Sequence, residues 1–108
     1  MFRYFFISFS TFCFSQTSLD NTNINAAVDM WVSDQLTAET TYGHISNWDT
    51  SSVTDMQELF KNHYLFNDDI SQWNVSNVIN MREIFFGCSE FNQDISNWDV
   101  SNLTNMEY

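Results

Sequence analysis

The chain is poor in bases, glycine, cysteine and histidine, and each shortage removes a class of function. Lysine and arginine together number three, against 14 aspartates and glutamates, for a formal net charge of −11. A chain this acidic repels phosphate backbones, so nucleic acid is not an expected partner. An anionic membrane surface is disfavoured for the same reason. The two glycines, Gly43 and Gly87, cannot form a glycine-rich phosphate loop. His44 and His63 stand alone, without cysteine or carboxylate partners at a zinc spacing. The two cysteines are Cys13 and Cys88. Long apolar runs are also missing. The longest, Tyr4 to Phe14, is too short to cross a bilayer, so no transmembrane span is expected.

What is present begins with that run. Arg3 supplies a basic start, Tyr4 to Phe14 an apolar body, and Cys13-Phe14-Ser15 the small residues a signal peptidase reads. We read residues 1–15 as a signal peptide cleaved after Ser15, which places the protein outside the cell or on its surface. A lipid anchor on Cys13 is disfavoured, because Phe12 stands where a small residue is usual. Processing leaves Cys88 without a pairing partner, so no internal disulfide is expected. It also leaves Lys61 and Arg82 as the only bases against all the acidic residues. Aromatic residues make up 18% of the chain, too many for a disordered acidic tail.

Residues 16–22 read as a polar linker, and 23–44 as a helical cap and loop leading into a repetitive region that starts at residue 45. Asn23 is a good helix start, and Ile24, Val28, Trp31 and Val32 share one face, which predicts a helix from Ile24 to about Asp34. Its expected role is to cover the first coil of the repeats. Thr37 to Gly43 reads as a loop.

From residue 45 the chain repeats every 25 residues without slippage. Ile45, Ile70 and Ile95 align, as do Trp48, Trp73 and Trp98, and Met56, Met81 and Met106. A fixed period in this range marks a stacked repeat. Coils start at 45, 70 and 95, the last of them truncated. Within the second, Trp73 and Val75 alternate with Asn74 and Ser76, the pattern of a short half-buried strand. The period then changes: Met81, Ile84 and Phe85, like Met56, Leu59 and Phe60, fall on one face of a short helix. Thr54 with Gln57, Thr104 with Glu107, and Asn80 with Glu83 resemble capping boxes for it. The expected fold is therefore an α/β repeat solenoid, leucine-rich-repeat-like, with one short strand and one short helix per coil and an N-terminal capping helix. The expected core is Ile45, Trp48, Met56, Phe60 and Phe66 in the first coil. In the second it is Ile70, Trp73, Val75, Val78, Met81, Phe85 and Phe91, and in the third Ile95, Trp98, Val100 and Met106.

The spacing Ile70-x-x-Trp73-x-Val75, repeated at Ile95-x-x-Trp98-x-Val100, resembles the leucine-rich-repeat strand. The longer string Phe-Asn-Gln-Asp-Ile-Ser-Asn-Trp-Asp-Val-Ser-Asn-Leu-Thr-Asn-Met, Phe91 to Met106, is more specific. It looks like the BspA-type repeat of bacterial surface proteins, also found in mycoplasma surface lipoproteins. The resemblance covers Ile45 to Tyr108, and Ala27-Val28-Asp29-Met30-Trp31 and Thr41-Tyr42-Gly43-His44-Ile45 look like the entry into such arrays. It implies a leucine-rich-like solenoid at the cell surface, used for adhesion or interaction. One departure stands out: Val53, Val78 and Leu103 occupy the place where a leucine-rich repeat has Asn. The array stops inside the third predicted helix, so a piece, or a degenerate copy, of a longer array is expected; a complete chain would instead be expected to self-associate through its open C-terminal end.

The residues supply no catalytic constellation, and the expectation is a non-enzyme. Cys88 has no basic neighbour to activate it. Polar residues recur in register on the predicted outer strand face: Asp49, Asn74 and Asp99 in one row, Ser51, Ser76 and Ser101 in the next. These six form the candidate interaction surface for an extracellular protein or glycan. Equally, they are residues that close turns. Asp68-Asp69 and Asp94 precede the strands and raise calcium as a candidate ligand, but neither turn offers six oxygens in a recognised order. Turn bonding explains them more simply, so no cofactor is expected. Asn74-Val75-Ser76 and Asn102-Leu103-Thr104 are glycosylation sequons. The alternatives to a binding module are a structural spacer without a ligand and a calcium-stiffened adhesion element.

Overall fold

The computed structural model describes residues 16–107. The signal-peptide reading lies outside them. Helix α1, Ile24–Ser33, buries Ile24, Ala27, Val28 and Trp31, one stripe at helical spacing. Val32, expected on that stripe, is exposed. Asn23 does not cap the helix with its side chain. It closes the preceding turn instead: Oδ1 accepts from the Asp20 amide and Nδ2 donates to the Ser18 carbonyl, both at 2.9 Å.

The expected loop at Thr37–Gly43 is a second helix, α2, Gln35–Tyr42. Asp34 caps it by accepting from the Thr37 amide. Gly43, at φ +88°, ends it, a conformation glycine adopts without a Cβ penalty. The helix hides from sequence because Ala38 is its one buried residue. Its threonines, poor helix formers, turn their hydroxyls back onto helical carbonyls, Thr40 to Leu36 and Thr41 to Thr37.

Beyond a short 3₁₀ turn at Ile45–Asn47, the α/β solenoid expectation fails. Among the described residues there is no strand and no sheet, and the repeats contain no α-helix; two isolated parallel bridges, Asp55 to Asn80 and Asn80 to Asn105, are all that resembles a ladder. The leucine-rich-repeat comparison falls with it. Two local causes are visible. In the predicted strand, Trp73 N–H bonds Ile70 O and Val78 N–H bonds Val75 O. Amides that a sheet would need are spent on tight turns three residues long. In the predicted helix, alternate amides leave the segment altogether. Met56, Glu58, Phe60 and Asn62 donate to Asn80, Arg82, Ile84 and Phe86 of the next repeat at 2.7–2.9 Å. The alternating amides of Leu59, Lys61 and His63 bond three residues back, and that of Gln57 bonds the Asp55 side chain. An α-helix needs every amide to bond four residues back, so this division excludes one. Glu58, Asn62 and Glu83 sit at positive φ, where an α-helix cannot pass.

The interior is built from aromatic rings in register. Trp48 and Trp73 stack with centroids 6.0 Å apart and planes at 13°. Phe60 stacks on Phe66 at 4.3 Å, and the pair 25 residues later, Phe85 on Phe91, repeats this at 4.4 Å. Phe60 and Phe85 stack on each other at 5.6 Å. Each of the three repeat indoles has its N–H satisfied by a carbonyl of the preceding segment: Trp48 by Gly43, Trp73 by Ile45 and Trp98 by Ile70, at 2.7–3.0 Å. Ile45, Trp48, Met56, Phe60, Phe66, Ile70, Trp73, Val75, Val78 and Met81 are buried, joined by Val53, Leu59 and Ile84. Phe85, Phe91, Ile95 and Trp98 are half-buried. Val100 and Met106, expected in the core, are 40% and 65% exposed, because no further segment lies over them among the described residues.

At the opposite end the N-terminal segment closes the stack. Trp31 sits edge-on to Trp48 at 6.1 Å and donates its indole N–H to Asp68. Residues 16–22 also pack: Leu19 is buried, and the Asn21 carboxamide accepts from the Thr54 amide at 2.9 Å and donates to its hydroxyl.

Candidate functional site

Asp49, Asn74 and Asp99 each sit at the head of a tight turn two residues before a serine. The Oδ1 of each accepts from the amide of Ser51, Ser76 or Ser101 at 3.0 Å. In the first two turns the serine hydroxyl donates to the same oxygen at 2.6 Å. These are Asx turns, in which a side-chain oxygen replaces a backbone carbonyl. A second row lies five residues earlier. Asp69 and Asp94 accept from the amides of Ser71 and Ser96 at 2.9 Å. In the first repeat His44 takes their place, its Nδ1 accepting from Ser46 N at 3.2 Å. The histidine that breaks the aspartate pattern in sequence thus makes the same turn. It requires the tautomer with the proton on Nε2.

The rows are held in register across repeats by two asparagines: Asn77, which the sequence reading passed over, and Asn102, which it noted only as part of a sequon. Asn77 Nδ2 donates to the Ser51 carbonyl and Asn102 Nδ2 to the Ser76 carbonyl, at 2.8 and 2.7 Å. Their recurrence at the repeat period was the signal available. All six candidate residues therefore lie on one series of equivalent turns, with Asp49, Asn74 and Asp99 exposed.

The electrostatics follow from the turns. The bonds from serine hydroxyl and then serine amide hold Asp49, Asp69, Asp94 and Asp99 below the ordinary carboxylate range. They remain ionised at neutral pH and well below it. The two bases in this region are both engaged. Lys61 bridges Glu58 and Glu83, at 3.3 and 2.8 Å, and Arg82 pairs with Glu107 at 2.7 Å. Arg82 also lies 3.5 Å from Glu83. The Glu83 carboxylate, then that of Glu58, raises the Lys61 pKa.

The remaining chemistry-bearing groups are dispersed. Cys88 is half-buried, its Sγ donates to the Phe60 carbonyl at 2.7 Å, and burial pushes its thiol pKa up, away from an activated thiolate. His63 Nε2 meets Asp29 of α1 at 3.2 Å. No three His, Cys, Asp or Glu side chains among the described residues converge as a metal site. Of the carboxylates that raised calcium, Asp69 and Asp94 are each tied into a turn of their own, and Asp68 accepts the Trp31 indole N–H. Of the two sequon asparagines, Asn102 commits its side-chain nitrogen to Ser76.

Among the described residues no helix is long and apolar enough to cross a membrane. Residues 25–108 match the model of a family described as Mycoplasma protein of unknown function, DUF285, and the chain belongs to that family. No curated protein and no solved structure matches it.

Proposed function

We infer, from membership in this family of unknown function and from the series of equivalent turns, that the protein is a non-enzymatic interaction module. It works outside the cell or on the cell surface and binds another protein or a glycan, in line with the adhesion or interaction role that the resemblance to BspA-type repeats implies. The leader-like residues 1–15 support the location. The single observation that carries the reading is the repetition of one exposed turn. Asp49-x-Ser51, Asn74-x-Ser76 and Asp99-x-Ser101 present matching oxygens at successive repeats, locked by Asn77 and Asn102. A partner with its own regular spacing of donors can engage several such oxygens at once.

A second reading, a spacer without a ligand, draws on a specific observation. Each of these side chains already spends one oxygen on its own turn. The two readings separate in one experiment. The second repeat naturally closes this turn with Asn74, so Asp49→Asn and Asp99→Asn keep the fold while removing charge. Ser51→Ala, Ser76→Ala and Ser101→Ala remove the hydroxyls and leave the turn amides in place. The chain carrying all five changes, displayed on beads, should still unfold in a single cooperative thermal transition and lose adhesion to host-cell or neighbour-cell glycoproteins. Adhesion undiminished in the folded variant would leave the spacer reading standing.

A further inference from the structure

Each joint between repeats uses the same four hydrogen bonds. A tryptophan N–H enters an isoleucine carbonyl of the preceding repeat: Trp73 to Ile45, Trp98 to Ile70. An asparagine side chain enters a serine carbonyl: Asn77 to Ser51, Asn102 to Ser76. One backbone amide enters a carbonyl 25 residues earlier, Ile79 to Thr54 and Thr104 to Ile79, at 2.8 and 2.9 Å. One amide points forward, Met56 to Asn80 and Met81 to Asn105, again at 2.8 and 2.9 Å. The third repeat carries the corresponding groups: the carbonyls of Ile95, Ser101 and Thr104 and the amide of Met106. Among the described residues Ser101 O, Thr104 O and Met106 N have no partner, and Ile95 O has only the Trp98 amide of its own turn.

The apolar side chains tell the same story. Val75 and Met81 are 1% exposed beneath the third repeat, whereas the equivalent Val100 and Met106 are 40% and 65% exposed. With Phe85, Ile95 and Trp98 they line an apolar hollow on that end of the molecule.

We propose that this end face is a docking surface for a further coil of the same 25-residue pattern. The coil it fits carries a tryptophan for Ile95 O, an asparagine four residues later for Ser101 O, and a free amide six residues after the tryptophan for Thr104 O. Those are the offsets of Trp73, Asn77 and Ile79, and of Trp98, Asn102 and Thr104. A second copy of the chain fits less well. Placed end to end, two such faces set acceptor against acceptor, with Met106 N as the one donor of the set. Placed head to tail, the first repeat is closed to it, because Trp31 covers Trp48 and Gly43 and Asn21 already supply the acceptors there.

Appending a copy of residues 84–108 after Tyr108 keeps the 25-residue register and tests the proposal in the full chain. The extension should raise the thermal midpoint by about 4–8 °C or more, the shift that one kcal/mol produces in a domain of this size. It should also shield Trp98 from acrylamide quenching. Two controls define the surface. An extension whose copied Trp98 and Asn102 are replaced by alanine should give less than half the rise. Val100→Asp, at a site 40% exposed in the unextended chain, should lower the unextended midpoint by less than the gain from extension and abolish that gain. An equal gain from a scrambled extension, or no gain from the faithful one, overturns the proposal. So does dimerisation of the unextended chain in sedimentation that Val100→Asp removes, which would make a second copy the occupant.

Discussion

Burying an indole strips its N–H of water, and such a group needs a partner. Trp73 meets this condition through the Ile45 carbonyl while its ring packs against Trp48 and Phe60. Ring and N–H can be separated by substitution. Trp73→Ala should cost about 3–5 kcal/mol, as large truncations in cores do. Trp73→Phe keeps most of the packing and should cost about 1–3 kcal/mol, the scale of a lost buried hydrogen bond plus some volume. Urea unfolding orders the two, and a Phe variant as unstable as the Ala variant would mean that packing is not what this residue supplies. The aspartates act at the same scale through pH. Their native pKa values are depressed, chiefly by serine hydroxyls. Their contribution is therefore complete above the unfolded value, about 3.9, and is lost as pH falls through the lower native values. In about 1 M salt, which screens long-range repulsion, the unfolding midpoint should fall as pH drops from about 5 towards 2.5. Replacing Asp49, Asp69, Asp94 and Asp99 by Asn, which closes the turn at position 74 without titrating, should flatten that fall.

The elements were only partly legible in the sequence, and the misses share a cause. Periodicity found α1, since Ile24, Val28 and Trp31 fall on one stripe and all three are buried. It found the 25-residue register, since the bridges join Asp55, Asn80 and Asn105. It misread what lies between, because apolar spacing reports which residues face inward and is silent on where the amides go. Met56, Leu59 and Phe60 are buried as a helix face would be, yet their segment divides its amides between its own turn and the next repeat. Alternation at Trp73 and Val75 suggested a strand, while the Asx-x-Ser steps at 69, 74, 94 and 99 were the better local signal. The candidate surface was legible for that reason: the residues chosen for an outer strand face are the heads of these turns. Left-handed positions test this division of amides. Asn62 and Gly87 are equivalent by the repeat, at φ 65° and 78°. A Cβ at Gly87 would strike the Asn62 side-chain oxygen. Gly87→Ala combines backbone strain with that collision and should cost more than about 1 kcal/mol. Asn62→Gly relieves strain and should cost far less. Comparable losses for the two, measured by urea unfolding, would contradict the division.

For the whole molecule the dominant long-range force is repulsion between like charges. Fourteen acidic residues face three lysines and arginines, and stacking repeats at short separation brings equivalent carboxylates near one another. Two features reduce the repulsion. Asn74 interrupts the row between Asp49 and Asp99. Lys61 and Arg82 tie Glu58, Glu83 and Glu107 together across repeats. These pairs are open to solvent, so each contributes little, and salt weakens them. Salt therefore acts in opposite directions on the two terms, and magnitude decides the sign. The pairs use three of the acids, and His63 contacts a fourth, Asp29. The rest, the ionised turn aspartates among them, have no basic partner among the described residues. Raising sodium chloride from about 0.01 to 1 M shortens the screening length from about 30 to 3 Å, less than the 6.0 Å between the equivalent rings of Trp48 and Trp73 in neighbouring repeats. The thermal midpoint should rise across that range, most steeply at its low end, because relief of repulsion outweighs the few pairs lost. A falling midpoint would instead place the Lys61 and Arg82 network at the centre of the molecule's stability. The variant Lys61→Met discriminates: if repulsion dominates, it should steepen the rise with salt, by removing a cation that offsets the surrounding carboxylates, and if the network dominates, it should abolish the fall.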